Sequence, residues 1–283
     1  MRFDANLSIL FGDRPLLERP AAAAAAGFDA VEMWWPFADL VPAPAEVDRL
    51  VESFGEAGVA LVSMNLASGS VAGGQHGLVA LPDERTRFGD HVDAAIAIAG
   101  RLGGLVLNAL YGNPPDGIAR GLLDDTAVEH LALAARRAAA IGATVVLEAL
   151  NPVDFPRYGL HRTGESLALA DRVLAEAGEK VAILFDVYHV QRSEGDLLAR
   201  IAAHAGRFGH VQIADVPGRL RPGTGEIAFE RVLPALEAAG YAGYVGLEYR
   251  PSPDPADTFA WLPVERRRSR GMLLAEEGER DRP

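Results

Sequence analysis

Cysteine is absent from this chain of 283 residues. That absence excludes a disulfide scaffold, a thiolate zinc site, an iron–sulfur cluster and a cysteine nucleophile. Basic charge is also short: 27 Lys and Arg stand against 39 Asp and Glu, a formal net charge of −12. A nucleic-acid partner calls for a basic face, so none is expected. There is no long apolar run. The alanine stretch from Ala21 to Ala26 is flanked by charged residues and is far too short to span a bilayer, so no membrane partner is expected. The opening Met1-Arg2-Phe3-Asp4 has charges where the apolar part of an export signal would sit, and a cytoplasmic protein is the expectation. A Gly-x-Ser-x-Gly elbow and a Walker lysine are both missing, which removes the signatures of a serine hydrolase and a phosphate-binding loop.

What is present is a repeated phrase. Apolar runs that read as strands cover 3–10, 30–33, 59–65, 104–109, 144–150, 181–186, 208–213 and 244–249. Several, such as Val145-Val146-Leu147, are continuously apolar, as strands buried on both faces of a parallel sheet must be. Between them, helical spacing covers 15–26, 43–57, 83–102, 124–141, 163–177, 193–204 and 228–239. Glycines such as Gly27, Gly58, Gly142 and Gly240 follow the helices, where a left-handed exit is needed. Eight such units predict a (β/α)8 TIM barrel over residues 1–262 rather than an open doubly wound sheet. Residues 263–283 form a charged tail, whose cluster Arg266-Arg267-Arg268 reads as a solvated face.

Active sites of such barrels form at the carboxyl ends of the strands. Polar residues stand there on every predicted strand: Asn6, Glu32, Asn65, Asn108, Glu148, Asp186, His210 with Gln212, and Glu248. The sharpest set is Glu148, Asp186, Gln212 and Glu248, on four successive strands. Three carboxylates in a low-dielectric mouth cannot all stay ionised without a cation. An all-oxygen donor set suits Mg²⁺ or Mn²⁺ better than zinc. His189, just past Asp186, is a candidate for substrate contact, with Asn65 and Asn108 at the same rim. Arg219 and Arg221, in the long loop after the seventh strand, are candidates for clamping an anion. Pro222-Gly223-Thr224-Gly225-Glu226 has the look of a phosphate turn but no strand directly before it, so it reads as a turn closing that loop. Trp34-Trp35-Pro36 either walls the site or packs under a loop.

These phrases carry a resemblance. Phe3-Asp4-Ala5-Asn6-Leu7, Gly27-Phe28-Asp29-Ala30-Val31-Glu32, Phe185-Asp186-Val187-Tyr188-His189, Gly209-His210-Val211-Gln212-Ile213-Ala214-Asp215 and Gly246-Leu247-Glu248-Tyr249 run in order from the start to about Trp261. The chain resembles the hydroxypyruvate isomerase family, among the xylose-isomerase-like metal-dependent TIM barrels. The resemblance implies an aldose–ketose isomerase that interconverts hydroxypyruvate and 2-hydroxy-3-oxopropanoate. It also implies Glu148, Asp186, Gln212 and Glu248 as metal ligands, with Glu148 and Glu248 as the acid–base pair. Gln75-His76-Gly77 stands where that family often has Glu-Arg-Gly, which makes His76 a further candidate for substrate contact. Related readings are a 2-oxo-tetronate isomerase and a ketose 3-epimerase. A reading of another class is a non-catalytic barrel that binds sugar acids. A DNA-repair nuclease fits poorly with a charge of −12. The partner expected is a small hydroxy or oxo acid, and a homo-oligomer is left open.

Overall fold

The computed structural model describes residues 1–70, 74–104 and 106–268. Eight parallel strands pair in chain order: β1 (Arg2–Asn6), β2 (Ala30–Met33), β3 (Ala60–Asn65), β4 (Val106–Asn108), β5 (Thr144–Glu148), β6 (Ala182–Asp186), β7 (Phe208–Ile213) and β8 (Tyr244–Leu247). Pairing of β1 with β8, from Arg2↔Tyr244 to Ala5↔Leu247, closes the expected barrel. Helices including Pro44–Ala57, Arg85–Leu102, Arg120–Ala139 and Thr163–Ala177 connect the strands. Among the described residues, no helix is long and apolar enough to cross a membrane.

The main core lies between strands and helices, where Phe3, Leu61, Leu107, Leu147, Phe185 and Val211 are buried. Each such side chain contributes about 1.5–3 kcal/mol relative to exposure. The barrel interior is separate. Val106, Val146 and Leu184 pack as one small cluster, and Ala30, Val62 and Tyr244 as another. Side chains on a strand repeat their direction every second residue. Two residues beyond the first cluster, on the same strands, come Asn108, Glu148 and Asp186. Two beyond Ala30 comes Glu32, and His210 is followed in the same way by Gln212. On β4, β5 and β6 an apolar layer under a polar mouth is therefore written into the alternation, while β7 carries His210 at that depth.

The structure shortens several predicted strands, for a local reason. The run 3–10 breaks at Asn6, whose Oδ1 accepts from the Ser8 and Ile9 amides at 2.9 and 3.2 Å and starts the turn Leu7–Leu10. At β6, Asp186 accepts from the Tyr188 amide at 2.8 Å and starts a helix over Val187–Ser193 that the helical spacing does not predict, while the predicted helix 193–204 runs over Leu197–His204. A carboxylate or amide at such a start satisfies helix amides that would otherwise lack a partner. In the tail cluster Arg266 and Arg268 are exposed as expected, whereas Arg267 is half-buried. Arg267 donates to the carbonyls of Leu262, Phe259 and Ala26 at 2.8–2.9 Å and lies over the Phe28 and Phe259 rings. Residues 269–283 lie outside the described residues.

Candidate active site

A cavity of about 750 Å³ opens at the carboxyl ends of the strands. Glu148, His189, Arg219 and Glu248 line its base. Ligand atoms of Glu148, Asp186 and His189 lie within 4.8 Å of one another, and all three residues are buried. Asn108 donates to Glu148 Oε2 at 2.7 Å and to Asn65 Oδ1 at 3.2 Å, so both asparagines sit beside the first glutamate. Glu248 Oε1 accepts from the Trp34 indole at 2.7 Å and from Asn6 Nδ2 at 3.2 Å, while Oε2 accepts from Arg219. Arg219 Nη2 also stands 3.7 Å from Asp186 Oδ2.

The acids hold their protons more tightly than usual. Burial, then the charges of Glu248 and Asp186, pushes the Glu148 carboxyl well up. Burial raises Asp186 too, against the opposing Arg219. Burial lifts Glu248 to about 7, again with Arg219 opposing. Meanwhile Asp186 Oδ2 and Gln212 Oε1 are buried with no hydrogen-bond partner among the described residues. Crowded carboxylates and orphaned acceptor oxygens are what a divalent cation would satisfy. The crowded acids Glu148 and Asp186 and the orphaned Gln212 oxygen are compatible with a divalent cation, with Glu248 beside them.

His189 differs from them. Its Nδ1 accepts from the Asn151 backbone amide at 3.1 Å. A neutral ring that accepts at Nδ1 carries its proton on Nε2. Burial, then Arg219 and Arg192, pushes the imidazole well below its usual pKa, so the ring is neutral. The Nε2 faces Asp186 Oδ2 at 3.5 Å and Glu148 Oε1 at 4.0 Å. It is placed as a hydrogen-bond donor and has no lone pair free there for a metal. His76 lines the same cavity, 5.3 Å from the Phe155 ring, which is itself 5.6 Å from His189. Burial lowers the His76 pKa, so this part of the lining presents an aromatic surface rather than a fixed cation.

The loop after β7 folds around an anion of its own. Asp215 Oδ2 accepts from the amides of Gly223, Thr224 and Gly225 at 2.8–3.0 Å. Its Oδ1 accepts from those of Val216 and Ile227 at 2.9 and 3.1 Å. The turn that looked like a phosphate cradle thus closes on the chain's own carboxylate. A Cβ on Gly225 would stand 1.8 Å from the Val216 carbonyl oxygen, so only glycine fits. The closed loop holds Arg219 at φ 53, a left-handed conformation costly for a non-glycine residue. Such strain persists only where the surroundings impose it. Arg221, by contrast, pairs with Asp257 at 2.8 Å and is absent from the lining of the cavity, whereas Arg219 is part of it. Asp215→Asn would set an NH₂ group against backbone donors. Stability should fall by about 1–3 kcal/mol, and kcat/KM should fall with it as Arg219 loses its support. A urea midpoint and a KM both matching wild type would refute this role.

Comparison with known proteins fits this arrangement. The model of the xylose isomerase-like TIM barrel family matches residues 20–263. The chain belongs to that family. It is 47% identical over 95% of its length to a Streptomyces coelicolor protein provisionally named hydroxypyruvate isomerase, covering 98% of it. It is 35% identical over 92% of its length to a 2-oxo-tetronate isomerase of Cupriavidus necator, covering 97% of that protein. A Brucella melitensis crystal structure described as a family 2 AP endonuclease superposes with a TM-score of 0.83 at 35% identity, covering 92% of this chain and 97% of that one. The curated relatives make this an isomerase family, and the chain is one of its enzymes.

Within this family member the sequence candidates converge. Glu148, Asp186, His189, Arg219 and Glu248 share one wall of the mouth. Gln212 lies beneath it, joined to Glu248 through Glu32 and Asn6. Sequence reading gave no partner to Trp34, Asn151, Asp215 or Glu32. Glu32 was visible as a charged residue inside the apolar run Ala30-Val31-Glu32-Met33. What it binds comes from β7 and β1, and no local spacing reveals that.

Proposed function

We propose that this enzyme is a divalent-metal-dependent sugar-acid isomerase interconverting hydroxypyruvate and 2-hydroxy-3-oxopropanoate. The observation that carries the reading is the pair Glu148 and Glu248, both buried at the base of one cavity, with orphaned oxygens of Asp186 and Gln212 beside them. The relatives named for hydroxypyruvate and 2-oxo-tetronate isomerisation support the substrate class.

Moving a carbonyl to the adjacent carbon requires loss of a proton from the hydroxyl-bearing carbon and its return next door. In this reading one of the two glutamates accepts the first proton and the other delivers the second. Asn108 holds Glu148, and Trp34 with Asn6 holds Glu248, so neither carboxylate has to find its place during reaction. His189 offers Nε2–H to an oxygen of the substrate. Arg219 is the cation that a substrate carboxylate would meet. A Mg²⁺ or Mn²⁺ ion held by Glu148, Asp186, Gln212 and Glu248 would offset the charge of the enediolate. A small acid, rather than a nucleic acid, is the partner consistent with a charge of −12.

A panel of hydroxypyruvate, 2-oxo-tetronates and free ketoses, assayed with added Mg²⁺ or Mn²⁺, tests the reading. Hydroxypyruvate should give the highest kcat/KM. Higher efficiency on the four-carbon acids would move the enzyme to 2-oxo-tetronates, and turnover of ketoses alone would make it an epimerase. Thermal stabilisation by acids without turnover would make it a binding barrel.

A further inference from the structure

Beneath the mouth lies a second layer of buried polar groups that the reaction above leaves unused: Asp4, Glu32 and His210, with ligand atoms within 4.8 Å of one another. Glu32 is its centre. Its Oε1 accepts from Asn6 Nδ2 and from Gln212 Nε2, both at 2.8 Å. Its Oε2 meets His210 Nε2 at 2.6 Å. Both carboxylate oxygens are thus taken, and Glu32 is only 1% exposed. The backbone makes room for this carboxylate. A Cβ on Gly246 would stand 2.5 Å from Glu32 Oε2 and 2.9 Å from Oε1, so a side chain there would push the group aside.

The contacts bear on the amide of Gln212. A carboxamide is nearly symmetric in shape, and either end can face the mouth. A carboxylate accepts but never donates. With Glu32 below, the NH₂ end turns down and Oε1 turns up, and that oxygen is buried with no hydrogen-bond partner among the described residues. Asn6 is oriented in the same manner. Its NH₂ bridges Glu32 and Glu248, while its own Oδ1 caps the turn after β1. One carboxylate therefore bears on two of the groups assigned to the cation.

We propose that Glu32 is a positioning residue that aims the Gln212 oxygen, rather than its nitrogen, at the cation position and steadies Glu248 through Asn6. This rests on the metal reading of the mouth, and its test is separable from that reading. Glutamine occurs three times in the chain, as Gln75, Gln191 and Gln212. In wild-type protein labelled with ¹⁵N-glutamine and kept free of metal, one side-chain NH₂ pair should exchange with solvent far more slowly than the other two. Gln212→Glu should delete that pair. Three pairs exchanging alike would overturn the proposal, whether or not the protein takes up metal.

The second arm measures Mn²⁺ binding by calorimetry. In Glu32→Gln the partner of Gln212 can donate as well as accept, so the orientation is no longer imposed. Affinity should fall about 10- to 100-fold, the usual scale for removing a partner of a metal ligand. Gly246→Ala, which displaces the carboxylate without removing its charge, should weaken binding in the same direction. A merely structural role would lower the melting temperature and leave the dissociation constant of the folded variant unchanged, and that result would also overturn the proposal. If both variants fail to fold, the exchange measurement on wild type decides. If wild type binds no Mn²⁺, the metal reading falls, and amide exchange compared between wild type and Glu32→Gln still reports whether Glu32 holds Gln212.

Discussion

Glu148→Gln and Glu248→Gln should each lower kcat by about two orders of magnitude or more, the scale for losing a positioned acid or base. Glutamine keeps the volume and one ligating oxygen but cannot take the substrate proton. The two variants should differ in what else they disturb. At Glu148 the amide meets Asn108, a donor at 2.7 Å, and can turn its oxygen toward it. At Glu248 three donors converge, from Trp34, Asn6 and Arg219, so one of them meets an NH₂ group. Glu248→Gln should therefore lose more stability. Metal content and a melting curve must accompany the assay, because both residues are assigned to the cation as well. A folded, metal-loaded variant turning over near the wild-type rate would remove that residue from proton transfer. Incorporation of solvent deuterium into the substrate carbon should disappear together with turnover.

Stripping the protein with EDTA should abolish activity, and Mn²⁺ or Mg²⁺ should restore it. Full turnover in rigorously metal-free protein would refute the metal reading. Affinity for the ion should depend on pH in a fixed direction. Glu148 and Asp186 are raised and Glu248 lies at about 7, all mainly through burial. Below about pH 7 protons occupy the site and compete with the cation; above it they are released more readily. Binding should therefore tighten as pH rises from 6 to 8, with proton release on binding. The stability of the apo-protein follows the same groups. A carboxyl whose folded pKa is raised above the unfolded value favours the fold most at low pH, and that contribution is lost as pH rises through the folded pKa. The ion should thus raise the melting temperature more at pH 8 than at pH 6. Equal shifts at both pH values would contradict this assignment of the protons.

Most of this was legible in the sequence because a parallel barrel states itself locally. β2 and β7 fall on the predicted 30–33 and 208–213, since each is a short apolar run bounded by clear signals. The carboxylates at strand ends were legible for the same reason: Glu148, Asp186 and Glu248 each follow such a run. Two departures share one cause: Asn6 and Asp186 also start helical turns, so the first strand stops at Asn6 and a helix follows Asp186 that the apolar pattern did not predict. What stayed hidden was contact across the barrel. Trp34 on Glu248, Glu32 on Gln212 and Asn151 on His189 join residues 214, 180 and 38 positions apart. No window along the chain contains such pairs. Arg219 differs from Arg221 only in where a closed loop points each of them, which two arginines two residues apart cannot announce.

A loop that carries its own anion has nothing left to order when substrate arrives. The amides around Asp215 are already satisfied, and Arg219 already stands beside Glu248 and Asp186. Many enzymes close a lid over the reactants on the microsecond-to-millisecond scale and wait for it again when product leaves. Here the face that carries the arginine is built beforehand, and under the proposed function a substrate acid would need only an exchange of ion-pair partners at the guanidinium. The side of the mouth formed by the β7 loop would then behave as a rigid landing place.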